Sequence, residues 1–398
     1  MQGDSVKTDV SVIMGCYDSE DTLEEALSSV LSQEFSGAFE VIAVDDGSRD
    51  ATPEILKRFA ARDARLKVLV HPANRGGGAA RNTAIRAARA PFVMDVDSDY
   101  MLGTGALRTM HAFLSSRPDL HGALYEEQRI FRGKDVRHFE PFHYYTETAP
   151  LELRAVFQFP NVQFGNVMCR REAYALAGGY PEHHGFDTQG FCMRFLSRGL
   201  RAQVAPGSFY WHRTGRSQAS YFERVFDSGR YNLNTYLIYE DLIERFSNAA
   251  LRTILNANVF RASGFGAEGI GAGLEALERS GVEVLKRDGD GGWDAASAVF
   301  VRGVAALRDN DCETALRNFV ELAKGGLSTP IVLFNTIRCS LGLAGTEPAR
   351  IVDAALAATE QLRLRKLPST RRWSLVDRAL VKAARITLSA HGIEDPVS

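Results

Sequence analysis

The sequence predicts an α/β protein: a doubly wound, mostly parallel sheet followed by an all-α C-terminal domain. Three observations carry this. Over the first hundred residues, short apolar runs alternate with stretches of helical spacing. The loops that follow those runs are unusually rich in Gly, Asp and Asn. From about residue 218 onward, long amphipathic stretches replace the strand signals.

The elements follow in order. Val10–Met14 is a short buried strand, and residues 20–34 place Leu23, Leu27, Val30 and Leu31 at helical spacing. Phe39–Asp45 is the second strand. Thr52-Pro53-Glu54 opens a helix with a cap residue, Pro in the first turn and an acid near the positive end, and Ile55 and Phe59 form its apolar stripe. Leu66–Val70 is the third strand, Ala79–Ala90 the third helix and Pro91–Val96 the fourth strand. Residues 101–216 are less regular, with a strand at 162–169, a helix ending at Gly178-Gly179, a helix at about 188–198 and a run ending in Phe209-Tyr-Trp-His212. Gly303, Ala315 and Phe319, with Gly342 and Ala354, keep a tetratricopeptide-like interval, which predicts helical hairpins around 295–360. The expected domains are thus 1–216, made of halves 1–100 and 101–216, and a helical 217–398.

Composition excludes several classes. Of 398 residues, 45% are hydrophobic and 24% charged, which rules out a disordered chain. The formal net charge of −2 gives no field to attract nucleic acid. Five scattered cysteines, never in a C-x-x-C pair, indicate reduced thiols and a cytoplasmic setting. The N-terminus has no apolar core of a signal peptide, and no run reaches the ~18 apolar residues of a membrane span.

In open α/β sheets, ligands bind beyond the carboxyl ends of the strands. Those positions here hold Gly15-Cys16-Tyr17-Asp18, Asp45-Asp46-Gly47-Ser48, Asn74-Arg75-Gly76-Gly77-Gly78 and Asp97-Ser98-Asp99. In Asp95-Val-Asp97-Ser-Asp99, alternate carboxylates project to one side of an extended chain and repel one another. A hard divalent cation, Mg²⁺ or Mn²⁺, relieves that repulsion and would also hold phosphates; the competing reading is a solvated acidic turn.

These segments, in this order and spacing, resemble glycosyltransferase family 2: Val10–Tyr17, Val44-Asp-Asp-Gly-Ser48, Asn74–Asn82 and Asp97-Ser-Asp99. The resemblance is dense over residues 9–115, thinner to about 216 and absent beyond. It implies a GT-A type, Rossmann-like fold and an enzyme that moves a sugar, with inversion, from a nucleotide donor to a hydroxyl or amine. By the same resemblance Tyr17 stacks on the donor base, Asp46 hydrogen-bonds it with Asp45 alongside, and Arg81 lines the nucleotide pocket. Asp97 lies near the donor ribose or sugar, and Asp97 and Asp99 hold the metal, chiefly through Asp99. His212 matches a histidine that reaches metal or diphosphate in some members, with a structural place after the aromatic run as the alternative. Gly15-Cys16 replaces the more usual Pro-Thr, and Asp95 is an extra acid with no family role.

The attacking hydroxyl needs a carboxylate base. The family places one just before a helix like 191–198, where this chain reads Phe186-Asp187-Thr188-Gln189. Alignment from Arg194 and Gly199 puts Thr188 at that position, and threonine is no base near neutral pH, so Asp187 is the candidate. A helix-capping aspartate is the alternative, and Glu182, His183 and His184 are fallback bases on the same loop.

Other features weigh less. Arg213 and Arg216 either touch phosphate or face water. Gly264-Phe-Gly266-Ala-Glu-Gly269 fits a dinucleotide fingerprint but lacks the βαβ unit around it. Arg363 to Arg385 form a basic amphipathic tail that either packs with its charged face in water or lies on an anionic membrane. The expected partners are a nucleotide-sugar donor and an acceptor that is a glycan, a lipid-linked sugar or a small molecule. Nucleic acid is not expected, and the helical region offers a surface for self-association. The competing function is a degenerate transferase acting as a scaffold through its helices.

Overall fold

The computed structural model describes residues 8–143, 165–182, 187–214, 292–325, 330–345, 381–382, 384–390 and 392–397. The chain divides into two compact units, residues 1–156 with 161–219, and residues 157–160 with 220–398.

The first unit is built on one sheet. In chain order its elements are β1 (Val10–Cys16), α1 (Leu23–Leu31), β2 (Phe39–Asp45), α2 (Thr52–Ala60), β3 (Leu66–Val70), α3 (Gly77–Ala87), β4 (Phe92–Asp95) and β5 (Tyr100–Leu102). There follow α4 (Ala106–Ser116), β6 (Gly122–Arg132), β7 (Phe139–Phe142), β8 (Met168–Arg170), α5 (Arg171–Ala177), α6 (Asp187–Ser197) and β9 (Ala202–Thr214). The strand order is β3-β2-β1-β4-β8-β6-β9-β5, with β7 paired to β6.

β1 lies between two parallel neighbours, β2 and β4, and is covered on both faces, which is why Val10, Val12, Ile13 and Met14 are all buried. α1 packs with Leu23, Ala26, Leu27 and Val30 buried, the one-face spacing of an amphipathic helix. α3 carries small residues instead, and Ala79, Ala80 and Ala84 let it lie close against β1, where a Cβ on Gly15 would stand 3.3 Å from the Ala80 Cβ.

The chain leaves β1 toward β2 and β3 on one side and returns to β4 on the other. The reversal opens a crevice at the carboxyl ends of β1 and β4. Tyr17 follows β1 there, and Asp97 and Asp99 follow β4.

The expected doubly wound sheet is present with antiparallel strands added, and several boundaries are corrected. The sheet is mixed: β4–β8, β8–β6, β6–β7 and β9–β5 are antiparallel, while β6–β9 is parallel. The pairings among β1 to β4 are all parallel, and every antiparallel pairing includes a strand that begins at or after residue 100. The helix expected over 20–34 is shortened to Leu23–Leu31, because Ser19 turns the chain by accepting from Thr22 and Leu23 N–H. Thr52 does not cap α2. It is the first helical residue, after Ala51, and its hydroxyl accepts from Ser19 N–H at 2.8 Å. α3 begins two residues earlier than expected, at Gly77, and ends at Ala87.

Within the second unit, α7 (Gly292–Arg308), α8 (Cys312–Lys324) and α9 (Pro330–Leu343) follow one another. Asp311 caps α8 by accepting from Thr314 N–H at 3.0 Å. A Cβ on Gly303 would stand 3.0 Å from the Phe319 ring, so the glycine permits the close crossing of α7 and α8. No helix among the described residues is long and apolar enough to cross a membrane.

Candidate active site

The loops after β1, β2 and β3 enclose a cleft of about 430 Å³ lined by Tyr17, Asp45, Ser48, Arg49, His71 and Asn74, among others. Side chains lock the loops together. Asp18 N–H donates to Ser48 Oγ (3.1 Å), Arg49 N–H to Asp18 Oδ1 (2.9 Å), and Ser48 N–H to Asp45 Oδ1 (3.0 Å). Gly47 turns the second loop at φ +73°, with space for a Cβ blocked by the Ala73 backbone at 2.7 Å. Tyr17 and Asp45 therefore stand at one cleft. Cys16, beneath them, is buried, and burial together with the nearby Asp45 charge pushes its thiol up.

Asp46 does different work from that expected of it. Its carboxylate is buried and accepts from Gly76 N–H (2.7 Å), from Arg75 N–H (3.0 and 3.1 Å) and from His71 Nδ1 (2.6 Å). Arg86 Nη2 donates to Thr83 Oγ1 at 2.9 Å, which lets that hydroxyl turn its own proton to His71 Nε2 at 3.0 Å and leaves Nδ1–H for Asp46. Asp46 is thus the anchor of the glycine loop, and Asp45 is the acid that lines the cleft.

The second cluster centres on Arg81, whose side chain is 9% exposed. Nε donates to Asp95 Oδ2 (2.7 Å), Nη1 to Asp187 Oδ2 (2.6 Å), and Nη2 to Asp97 Oδ1. Burial works against the guanidinium charge, and Asp95, Asp97 and Asp187 outweigh it, holding Arg81 well above its ordinary value. Arg81 was expected to line the nucleotide pocket, but all three of its nitrogens are occupied by acids of its own chain. Asp95, the unassigned acid, is fully buried and also accepts from Tyr180 Oη at 2.9 Å. Desolvation pushes its carboxyl up to about 6, with Arg81 opposing and Asp97 adding to the rise.

Asp99 is provided for differently. No hydrogen bond from another residue reaches its carboxylate among the described residues, and desolvation plus the Asp97 charge push it up to about 7. The loop itself is well held: Asp97 N–H donates to Asn166 Oδ1 (2.8 Å), Ser98 Oγ meets Ser19 Oγ (2.8 Å), and Thr22 Oγ1 donates to Ser98 O (3.0 Å). A desolvated carboxylate beside a second one on a rigid loop is a hard oxygen donor set that suits a divalent cation. No group of three or more metal-ligating side chains in binding geometry occurs among the described residues. His212 pairs with Tyr100, the residue after Asp99, and the two rings lie 4.3 Å apart. Arg213 is committed elsewhere, to Glu25 and to the Gly133 carbonyl.

Asp187 is the first residue of α6 and is joined to Arg81. Thr188 and Asp97 both approach Gly165: a Cβ there would stand 3.7 Å from Thr188 Cγ2 and 3.9 Å from Asp97 Oδ2. Glu182, a fallback base, is engaged by Arg75 (3.0 Å) and Asn82 (3.1 Å), which hold it low. Asn82 also brackets the Tyr180 backbone with bonds of 2.8 and 2.9 Å, pinning the segment before α6 onto α3. Gly78 makes this approach possible, since a Cβ there would lie 1.9 Å from the Pro181 carbonyl oxygen. Gly78→Ala is therefore expected to destabilise the protein by about 1–3 kcal/mol or more, measured by urea unfolding. His183, His184, Arg216, the Gly264–Gly269 motif, Ala354 and the basic stretch before residue 381 lie outside the described residues.

Sequence reasoning missed His71, Asn166 and Tyr180. His71 follows β3 directly and so obeys the strand-end rule that revealed the other loops. Asn166 sits at φ +54° in a stretch without periodicity and left no such signal.

The aromatic-lined cleft and the acidic loop both lie at strand ends of a GT-A type sheet, where α/β sheets bind ligands. The family model "Glycosyl transferase family 2" matches residues 11–175. An N-acetylglucosaminyltransferase of Bradyrhizobium elkanii is 33% identical over 126 residues, 31% of this chain and 68% of that protein. The poly(ribitol-phosphate) beta-N-acetylglucosaminyltransferase TarS of Staphylococcus aureus is 28% identical over 259 residues, 63% of this chain and 41% of its own length. Across the first relatives, the aligned share of their own length runs from 17% to 70%. The crystal structure of S. aureus TarS 1-349 in complex with UDP-GlcNAc has the same fold, with a TM-score of 0.50 at 19% identity, covering 94% of this chain and 92% of that one. The chain belongs to glycosyl transferase family 2 and is a glycosyltransferase.

Proposed function

We propose that the protein transfers a sugar from a nucleoside-diphosphate donor, a UDP-sugar in preference, to a hydroxyl or amine of its acceptor. The transfer is an inverting displacement that depends on a divalent cation. The observation that carries this reading is the juxtaposition of the Tyr17–Asp45 cleft and the Asp97–Asp99 loop on the strand-end edge beside β1.

Tyr17 stacks on the base and Asp45 offers it a hydrogen-bond acceptor. Asp97 and Asp99 would hold the cation, with His212 as a further ligand, and Asp97 also faces the donor sugar. When bound, the cation neutralises the charge that gathers on the leaving diphosphate. Asp187 accepts the proton of the attacking hydroxyl while Arg81 orients its carboxylate. TarS is named for transfer of N-acetylglucosamine and is seen with UDP-GlcNAc, which makes that donor the first to test. The helical unit, read as tetratricopeptide-like hairpins, and the basic tail serve acceptor or membrane-surface contacts.

The second reading, a degenerate transferase that binds partners, draws on one observation: Thr188 stands where the family base is expected, and Asp187 is tied to Arg81. Hydrolysis of a panel of nucleotide sugars with Mn²⁺, Mg²⁺ or EDTA separates the two. The transferase reading expects metal-dependent release of a nucleoside diphosphate, and the scaffold reading expects none. Tyr17→Ala should weaken UDP binding by about tenfold or more, since stacking on an aromatic ring is worth roughly 1–3 kcal/mol per base; calorimetric titration measures it.

A further inference from the structure

We infer that Arg81 is a positioning residue that couples the donor side of the site to the acceptor side. This rests on the transferase reading above. The geometry is one guanidinium with three carboxylates from three separate segments: Asp95 at the end of β4, Asp97 in the metal-loop candidate, and Asp187 at the start of α6. Asp97 faces the donor and Asp187 faces the acceptor, so their separation and orientation are set by the fork of a single planar group.

The fork is itself fixed from behind. Asp95 holds Nε, and Tyr180 Oη holds the same Asp95 oxygen at 2.9 Å. The Tyr180 ring stands 5.5 Å from the guanidinium carbon and stacks on Phe191 of α6 with centroids 4.3 Å apart. Phe191 is fully buried, so the aromatic packing of α6 and the orientation of Arg81 are one structure. This gives Asp95, an acid without a direct place at the donor, a physical role: it orients the residue that orients both reacting sides. Lysine is no substitute, because a point charge cannot meet three acids in one plane.

The test compares the parent with Arg81→Lys, Arg81→Ala and Asp95→Asn. It follows UDP-GlcNAc hydrolysis with Mn²⁺, the Kd of UDP by calorimetry, and the melting temperature. Turnover number is expected to fall about 100-fold in Arg81→Lys, the size of a misplacement effect, and less in Asp95→Asn. The Kd of UDP measured in EDTA should move less than about fivefold, because the base cleft is untouched. Guanidinium chloride at low concentration should restore part of the turnover of Arg81→Ala without altering that of the parent. If Arg81→Ala does not fold, Arg81→Lys and Asp95→Asn carry the comparison.

The inference is overturned if UDP affinity in EDTA is lost in step with turnover, which would make Arg81 a nucleotide ligand. It is equally overturned if turnover stays near the parent's, or if its loss tracks melting temperature and guanidinium restores nothing. A parent protein that turns over no nucleotide sugar sinks the transferase reading and this inference together.

Discussion

Asp187→Asn should lower transfer or hydrolysis of a UDP-sugar by about 10²–10⁴-fold, the range that general-base catalysis supplies. The variant is nearly isosteric. Its amide oxygen can still accept from Arg81 Nη1, which approaches Asp187 Oδ2 at 2.6 Å, so the Arg81 cluster keeps its three partners. What disappears is the capacity to take a proton from the acceptor hydroxyl. UDP affinity, set by Tyr17 and Asp45 in a separate cleft, should not change. Initial-rate kinetics alongside UDP titration separate these effects. Unchanged turnover would remove Asp187 from the chemistry and return the base to Glu182 or a neighbour on its loop.

Asp99→Asn should have two effects of opposite sign. With cation and nucleotide present it abolishes metal-dependent UDP binding, and turnover falls by about 10³-fold or more, because the charge of the leaving diphosphate is no longer neutralised. In EDTA the same variant should be more stable than the parent at pH 8. Desolvation and the Asp97 charge raise the Asp99 carboxyl from 3.8 in the unfolded chain to about 7. Between those values the folded state holds a proton that the unfolded chain has lost, so stability falls as pH rises through the window and stays low above it. The asparagine carries no charge to desolvate, so its advantage is largest at pH 8 and smaller at pH 5. Melting temperatures at the two pH values check the sign. A functional carboxylate that costs the empty fold stability is what a cation site built of packed acids requires.

The first half of the protein was legible because its signals are local. β2 and β3 span the predicted residues, and the loops after β1, β2, β3 and β4 came out on one edge because parallel strands put all their carboxyl ends there. Tyr17, Asp45 and Asp99 could be placed from that rule and the family resemblance. Long-range pairing was not legible. Nothing in Ala79-Ala-Arg81-Asn82 announces that Arg81 meets Asp187, 106 positions away, or that Asp46 turns inward to the glycine loop. The pairing of β6 to β9 escaped for the same reason: β8 is three residues long, and β4 and β6 flank it from distant parts of the chain. His71 was missed by starting the third loop at Asn74 instead of at the strand end. Asp95 could be seen as acidic, but its purpose depends on Tyr180, a partner 85 residues later.

The central claim is that this cleft and acidic loop together bind a nucleoside diphosphate through a divalent cation. Calorimetric titration of UDP, in Mn²⁺ and again in EDTA, tests it most directly. The account predicts that Mn²⁺ tightens UDP binding by about tenfold or more and that Asp99→Asn removes the gain. UDP binding of equal strength in EDTA, unaltered by Asp99→Asn, would contradict it.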